Sequence, residues 1–563
     1  MKNTKLQNVI NSKYFIPCLV IVINITFFIL SNILLKPRFE TLDDFTIMKI
    51  ISKLDGTYSY YSVYIHPLLS FIIMLLYKTG ININWYSIFL LILQFISFTV
   101  IGIILLNKNK KMGLLCYIII ISAYYSRILI IINYTSTAAI TILAGIISLI
   151  YYNETNKKTN IIIGLILITV GTMLRWKSSI IVLPFYIIYV AYYTIKNKDF
   201  KLTKILMLIM SIIILIIISN NIVYKIDSIY KKYTDFNKTR TYFFDANVLD
   251  YNKNKEIFDK SEWTYTDWKM FYTYSFADDE FYTIERLNDL KQNINNNLDT
   301  FMNKILYSFK LSYSITIQQY LILFIGICSI VIISFVIKKN RGVILLYFIA
   351  YIAINFILCY TKPMYRVIVP LYTTTFIMMI YIMLNDIKYN KEIIRYILVS
   401  LTIIYSLINC FIIYSQNRFY DKERFSLIKD IISYTSLNKE NAYIYPNVLG
   451  NISLAYSIYE KIPDDTFSNL RHMGDWDIYN KEYYLFKEKY NIKNPITDLY
   501  EKDNLYIISG DVYAANNQKY NNHIDTVIQY IKEHYNKNIE YKIVKEFSNS
   551  IKVYKLYDKN EVK

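Results

Sequence analysis

Hydrophobic and polar positions along this chain fall into long apolar runs separated by short basic turns. A window of about 19 residues marks runs near 14–35, 84–106, 112–131, 137–152, 160–176, 178–195, 204–224, 317–337, 342–360, 364–385 and 393–415. They predict about eleven membrane-spanning helices. Pro67 to Tyr77 is apolar as well, but at about 11 residues it falls below the ~17 needed to cross and reads as an interfacial segment. The first run outlasts a signal-peptide core of roughly 7 to 15 residues and no small-residue cleavage site follows it, so it reads as an uncleaved span.

Two stretches break the pattern. Between the first two spans, Phe45, Ile47, Met48, Ile50, Ile51 and Leu54 recur at helical spacing, with Lys49, Ser52 and Lys53 between them. This predicts an amphipathic helix resting on the membrane. After residue 416, strand-like runs (Ala442 to Tyr445, Leu505 to Ser509, Tyr541 to Phe547, Ile551 to Leu556) alternate with helix-like ones (Tyr420 to Ser433, Ile524 to Tyr535). A small α/β domain is expected, with a hairpin turn at Ser548-Asn549-Ser550. The chain divides accordingly into a membrane domain, 1–416, with interfacial helices over 41–79 and a large loop over 225–316, and a C-terminal domain, 417–563. No internal repeat is present.

Composition agrees with a mainly α, polytopic transmembrane helical bundle: 54% of residues are hydrophobic and mean hydropathy is +0.27. The formal net charge of +19 is confined to residues 1–416, because the tail holds 21 basic and 21 acidic residues. That excess sits in turns: the N-terminus (Lys2, Lys5, Lys13), Lys108 to Lys111, Lys157 and Lys158, Lys196 to Lys204, Lys338 to Arg341 and Lys388 to Arg395. The positive-inside rule then places the N-terminus in the cytoplasm and both the large loop and the C-terminal domain outside, in a multi-pass protein of the cell membrane. Such a distribution is topogenic and no nucleic-acid footprint. The five cysteines (Cys18, Cys116, Cys328, Cys359, Cys410) all lie in apolar runs, which leaves the soluble parts without a disulfide framework or thiolate metal site.

Against this background Asp43 and Asp44 stand out, adjacent carboxylates just beyond the first span. Thr41 and Asp44 also fit a helix-capping box, so the pair has a purely local reading too. A second set of charges breaks the topology rule: Arg127, Arg175, Lys177, Lys362 and Arg366 sit at the outer ends of spans, where basic residues are disfavoured. Any one of them has the alternative of reaching to lipid phosphate. Together, from three separate turns, they predict a site for an anionic headgroup beside two carboxylates.

These features resemble the GT-C class of membrane glycosyltransferases. His66-Pro67-Leu68-Leu69 is similar to the basic-Pro-Pro-Leu element of several of those enzymes but lacks the second proline; Lys362-Pro363-Met364-Tyr365-Arg366, followed by Pro370, is similar to their Arg-Tyr-x-x-x-Pro element with the Tyr and Arg in the opposite order. The likeness covers roughly residues 14 to 415 in layout. It implies a helical GT-C-like fold, a sugar donor on a polyprenyl phosphate, and a catalytic base in the first outer loop, a role that falls on Asp43 or Asp44. Phosphate leaves as a stable anion, so one carboxylate to deprotonate the acceptor, plus cations on the phosphate, suffices for inverting transfer. Arg366 and Arg175 are the first choices for phosphate contact, because guanidinium matches phosphate oxygens with two parallel hydrogen bonds. Lys177, Lys362 and Arg127 follow. The paired acids, helped by Glu40 or Asp55, are able to hold a divalent cation; no acid from the other outer turns joins them, so no obligatory metal is expected.

Other residues carry weaker signals. Trp263, Asp267 and Trp268 in the large loop suit either sugar stacking with hydroxyl recognition or anchoring at the membrane interface, and anchoring is favoured. Arg471-His472-Met473-Gly474-Asp475-Trp476 is a similar polar-aromatic patch that a structured loop also explains. His66 reads as a helix-start residue, with headgroup contact as the other possibility. The chain has no Walker loop, no Gly-rich dinucleotide fingerprint and no His-Glu-x-x-His, and three of its four histidines lie in the tail. The functional expectation is transfer of a sugar from a polyprenyl-phosphate donor to an extracytoplasmic glycan, lipid or protein. A lipid-linked saccharide flippase would want polar residues lining the bilayer middle, where Ile and Leu dominate. A non-catalytic membrane scaffold would leave Asp43 and Asp44 dispensable.

Overall fold

Most of the apolar runs become helices in the computed structural model, which describes residues 12–40, 42–245, 249–295, 300–337, 340–361, 363–384, 396, 399–408, 411, 422–450, 452–515, 518–548 and 550–560. Thr41, Lys362, Cys410, Asn549, the N-terminal Lys2 and Lys5, Lys338 and the basic turn 388–395 lie outside the described residues. Among the described residues eight helices are long and apolar enough to cross a membrane, and nine if one bent pair counts as a span. The departure from eleven has identifiable sources. Lys158–Leu174 is apolar but short; at 1.5 Å per residue, its 17 residues reach about 25 Å, less than a hydrocarbon core of ~30 Å, and Pro67–Tyr77, which was never among the eleven, is shorter still. Ile305–Gln318 and Leu321–Ile337 meet at 92°, and only Val399–Ile408 of the last run is described as a helix of length.

Burial orders the bundle. The helix Tyr134–Thr155 is enclosed over 94% of its apolar window, whereas Phe15–Leu34 and Lys201–Ile226 are enclosed over only 17% and 22%. The first is therefore the hub, and the other two present Ile, Val and Leu outward as lipid-facing helices do. Small residues let the hub approach its neighbour Lys158–Leu174: a Cβ on Gly145 would stand 2.7 Å from the Gly164 carbonyl oxygen. Within Lys110–Ile130, residues Ile120–Tyr125 form a π-helical turn, a rare widening of the helix that here packs Tyr125 on Phe98 and Tyr124 on Phe376.

The C-terminal domain is α/β as the alternation predicts. Strands Ala442–Tyr445, Leu505–Gly510, Ile539–Ser548 and Ile551–Asp558 match the expected runs, and the last two pair as an antiparallel hairpin. A fifth strand, Leu470–His472, completes the sheet in the spatial order 470–472, 442–445, 505–510, 551–558, 539–548; the first three run parallel. It went unread in the sequence because three residues are too few to show an alternating pattern.

The large loop and the C-terminal domain share one interior. Phe243, Trp263, Phe271 and Tyr282 from the loop pack in a single cluster with Ile444, Tyr483, Val527 and Leu556 from the tail. Polar contacts reinforce it: fully buried Asp278 accepts hydrogen bonds from Tyr530 (2.8 Å), Tyr535 (2.7 Å) and Asn494 (2.9 Å), and Asp279 pairs with Lys487. Both bodies consequently lie on the same side of the bundle.

The helix Leu42–Ile51 does not rest on a membrane surface with one face in water. Every residue from Asp44 to Ile51 is buried. Its Phe45 ring packs on Tyr456 and Phe467 of the C-terminal domain, and its Lys49 joins a buried ionic network there: Lys49 to Asp55 (3.4 Å) and Asp477 (3.5 Å), and Asp55 to Arg471 (2.9 Å). Amphipathic spacing is silent about what covers the polar side, and here a protein domain does.

Candidate functional site

A two-residue parallel ladder fixes the start of the site. Arg38 and Phe39 pair with Ile131 and Ile132, and the Glu40 amide donates to the Ile132 carbonyl (3.1 Å). That brings the segment after the first span alongside the N-terminus of the hub helix. Asp44 then points inward, accepting from the Tyr86 hydroxyl (2.8 Å) and from the Tyr134 backbone amide (2.9 Å) at the first turn of the hub. It is fully buried, its Oδ2 has no hydrogen-bond partner, and burial pushes its carboxyl well above the usual carboxylate range. Asp43 faces the other way. Its carboxylate pairs with the Arg366 guanidinium, at the start of the helix Tyr365–Met383.

Arg366 is itself held at both backbone ends. Its amide donates to Glu40 Oε1 (3.2 Å), and its carbonyl accepts from Ser136 Oγ (3.1 Å). Burial raises the Glu40 carboxyl to about 7, offset in part by the Arg366 charge. Tyr134 stands amid Arg175, Arg366, Asp43 and Asp44, each close enough to act on its hydroxyl electrostatically. The two acids and two of the five cations expected to meet are therefore gathered at the head of the hub.

Asp43 and Arg366 open into a cavity of about 270 Å³ at the junction of all three bodies. The bundle side contributes Tyr64 and Met364; the loop contributes Arg240, Phe244 and Tyr274; the C-terminal domain contributes Asn447, His472, Asp475 and Trp476. His472 ends one parallel strand and Asn447 lies just past another, so the cavity opens at the carboxyl ends of parallel strands, where side chains from successive loops converge.

Arg240 comes from the helix Ser228–Asp245 and is only 5% exposed. It donates to Asn237 Oδ1 (3.0 Å) and lies over the Phe244 ring (5.2 Å). It was missed in the sequence, yet a signal exists: Phe236, Arg240 and Phe244 recur every four residues, placing a charge inside the apolar stripe of a helix. The polar-aromatic patch of the tail, by contrast, does reach the site. His472 Nδ1 accepts from the Gly474 amide (3.0 Å), so the proton of the neutral ring sits on Nε2. Burial lowers the His472 pKa to about 4, keeping the ring neutral. Burial, then the neighbouring Asp477 carboxylate, raises Asp475 to about 7, with Arg240 acting in the opposite sense.

None of the other expected residues, among those described, lines the cavity. Arg175 packs behind the cavity wall, its guanidinium over the rings of Tyr64 (4.8 Å) and Tyr134 (5.3 Å). Lys177, two residues further on, is exposed. Arg127 is 6% exposed within the bundle, away from the cavity lining, with Nε and Nη2 lacking hydrogen-bond partners. Neither the sugar-contact nor the anchor reading holds for Trp263, Asp267 and Trp268, which are core residues of the loop body. Trp263 is 2% exposed, Trp268 Nε1 donates to the Leu249 carbonyl (2.8 Å), and fully buried Asp267 forms a capping box with Thr264 and bonds His534 (2.6 Å). Aromatic composition alone does not separate a surface platform from a core. His66 is the helix-start residue expected, its Nδ1 accepting from the Leu68 amide (3.2 Å) and its Nε2 bonded to Ser219 (2.9 Å).

Among the described residues no group of three or more His, Cys, Asp or Glu is arranged to hold a metal ion. The chemistry that the cavity offers is that of a carboxylate beside guanidinium groups. No protein-family model matches the sequence, and no curated protein is detectably similar to it.

Proposed function

We propose that this protein is an integral-membrane glycosyltransferase that moves a sugar from a polyprenyl-phosphate donor to an acceptor on the extracytoplasmic side of the cell membrane. The observation that carries the reading is the pairing of Asp43 with Arg366 on the wall of a cavity between the bundle and its two soluble bodies. An ionised pair in so enclosed a setting costs desolvation energy that a purely structural contact need not incur, and such charges concentrate where chemistry is done.

In the proposed reaction the acceptor hydroxyl oxygen attacks the anomeric carbon, forming the new glycosidic bond as the bond from that carbon to the phosphate oxygen breaks. Asp43 takes the hydroxyl proton, and the polyprenyl phosphate departs with the bonding electron pair. Arg366 binds the departing phosphate, with Arg240 adding positive charge from the facing wall; guanidinium is suited to both jobs because it stays charged and offers paired donors. Direct displacement inverts the anomeric centre. Asp44, fully buried and bonded through Oδ1 to Tyr86 and Tyr134, serves to hold the hub helix against the Asp43 segment.

The test is transfer of radiolabelled sugar from polyprenyl-phosphate glucose or mannose in membranes containing the full chain. Asp43→Asn is expected to abolish transfer while the protein still inserts and accumulates. Wild-type transfer by the Asp43→Asn variant would overturn the assignment, and a scaffold would then be the better account.

A further inference from the structure

We infer that the C-terminal-domain wall of the cavity, built from His472 and Asp475, is an acceptor subsite that recognises a saccharide by its hydroxyls; this rests on the glycosyltransferase reading above. The inference begins with the pairing of hydrogen-bond roles. A sugar hydroxyl donates one proton and accepts another, so a site for it needs a donor and an acceptor close together. His472, with its Nδ1 occupied by the Gly474 amide, offers an Nε2 donor; Asp475, its Oδ1 taken by the Trp476 amide (2.7 Å), retains Oδ2 as acceptor. Both side chains line the cavity into which Asp43 and Arg366 open.

Rigid placement strengthens the case. Residues 472–476 turn directly against the loop body, where a Cβ on Gly474 would stand 2.7 Å from the Tyr274 carbonyl carbon and 2.8 Å from the Phe276 ring. Tyr274, also on the cavity wall, holds a left-handed backbone at φ +59°, a conformation costly for an aromatic residue and frequent at binding sites. Its ring meets His472 edge-on, with Tyr445 on another side (centroids 6.2 and 4.9 Å). The Trp476 indole is likewise fixed, by Tyr64 (4.9 Å) and Tyr233 (6.4 Å). Aromatic rings around a matched donor and acceptor suit the mixed apolar and hydroxyl surface of a pyranose.

Charge favours a neutral ligand on this wall. The groups facing Asp475 are Asp477 on its own turn, Arg240 from the loop and Asp43 from the first-loop helix, while Lys49 and Arg471 neutralise Asp477. With Asp43 paired to Arg366 and Asp477 to Lys49, the acids of this wall are matched by cations and none of those cations is spare for an anionic acceptor.

The experiment measures steady-state transfer by the full chain from polyprenyl-phosphate mannose or glucose to two acceptor panels, soluble oligosaccharides and Ser/Thr-containing peptides. Oligosaccharides are expected to be glycosylated. Asp475→Asn and His472→Ala are each expected to raise the acceptor KM by about tenfold or more, as for loss of a hydrogen bond in a binding site, with donor KM changing much less. Asp475→Glu and His472→Gln should restore part of the loss, which separates lost contacts from misfolding. An unchanged acceptor KM, an equal rise in donor KM, or glycosylation of peptides alone would overturn the subsite. Absence of transfer by the wild-type chain to either panel, with no donor cleavage, would instead remove the glycosyltransferase reading on which it rests.

Discussion

Asp43 and Asp44 are adjacent in sequence and opposite in circumstance: one carboxylate pairs with Arg366 on a cavity wall, the other is fully buried against Tyr86 and the Tyr134 amide. Substitution should separate them. Asp44→Ala leaves the Tyr86 hydroxyl and Tyr134 amide unsatisfied and is expected to cost about 2 to 5 kcal/mol of stability, the scale of two unmade buried hydrogen bonds. Asp43→Asn leaves Arg366 facing the cavity beside Glu40 and is expected to cost less stability than Asp44→Ala while removing the proposed transfer. Thermal denaturation in detergent beside a transfer assay checks both; equal losses of stability would contradict the distinction.

Gly474→Ala tests the fit between the 472–476 turn and the loop. The added carbon has backbone on one side and an aromatic ring on the other, neither of which yields cheaply. Overpacking of this kind costs roughly 1 to 3 kcal/mol. A lowered melting temperature, with increased proteolytic nicking near the turn, is the expected result.

The ionic network under the helix Leu42–Ile51 makes a stronger prediction. Asp55→Asn would remove the carboxylate that pairs with both Lys49 and Arg471 and leave Arg471 buried without an ion pair. Removing one member of a buried charge cluster typically costs about 3 to 5 kcal/mol. The C-terminal domain should become readily cleaved from the bundle by limited proteolysis, and Asp43 should lose its alignment, so transfer falls as well. Retention of wild-type protease resistance would rule this out.

Glu482 gives the domain a pH dependence with a defined sign. Burial, followed by the nearby Asp55 charge, raises its carboxyl from 4.5 to about 7. Between those values the folded state holds a proton that the unfolded chain has released, so stability falls as pH rises through this window. Full deprotonation above about 7 forgoes on the order of 3 kcal/mol relative to acidic conditions. Between pH 5 and pH 8 the wild-type chain should lose more stability, or gain less, than Glu482→Gln, which denaturation midpoints of both proteins at the two pH values check.

How far the sequence disclosed this structure depended on the range of the interaction. Local periodicity located the lipid-facing helices and the tail strands at Ala442, Leu505 and Ile551, because those patterns repeat within a single element. Asp43 and Arg366 were legible for another reason, as charges where hydropathy predicts none. Arg240 and Asp475 were harder to see as partners, since their meeting depends on three bodies folding together. The same holds for Trp263 and Asp267: no local rule says whether an aromatic-acid cluster faces solvent or another folded part of the chain.

That dependence reaches into how the protein is made. The ribosome delivers Trp263, Phe271 and Tyr282 well before Ile444, Val527 and Leu556, the residues that complete their shared interior. Until the final segment has been made, the loop's share of that interior has nothing to pack on. The loop's aromatic half must therefore be shielded through the insertion of every later span, and a chain truncated near residue 416 would expose a greasy, half-finished surface to quality-control proteases.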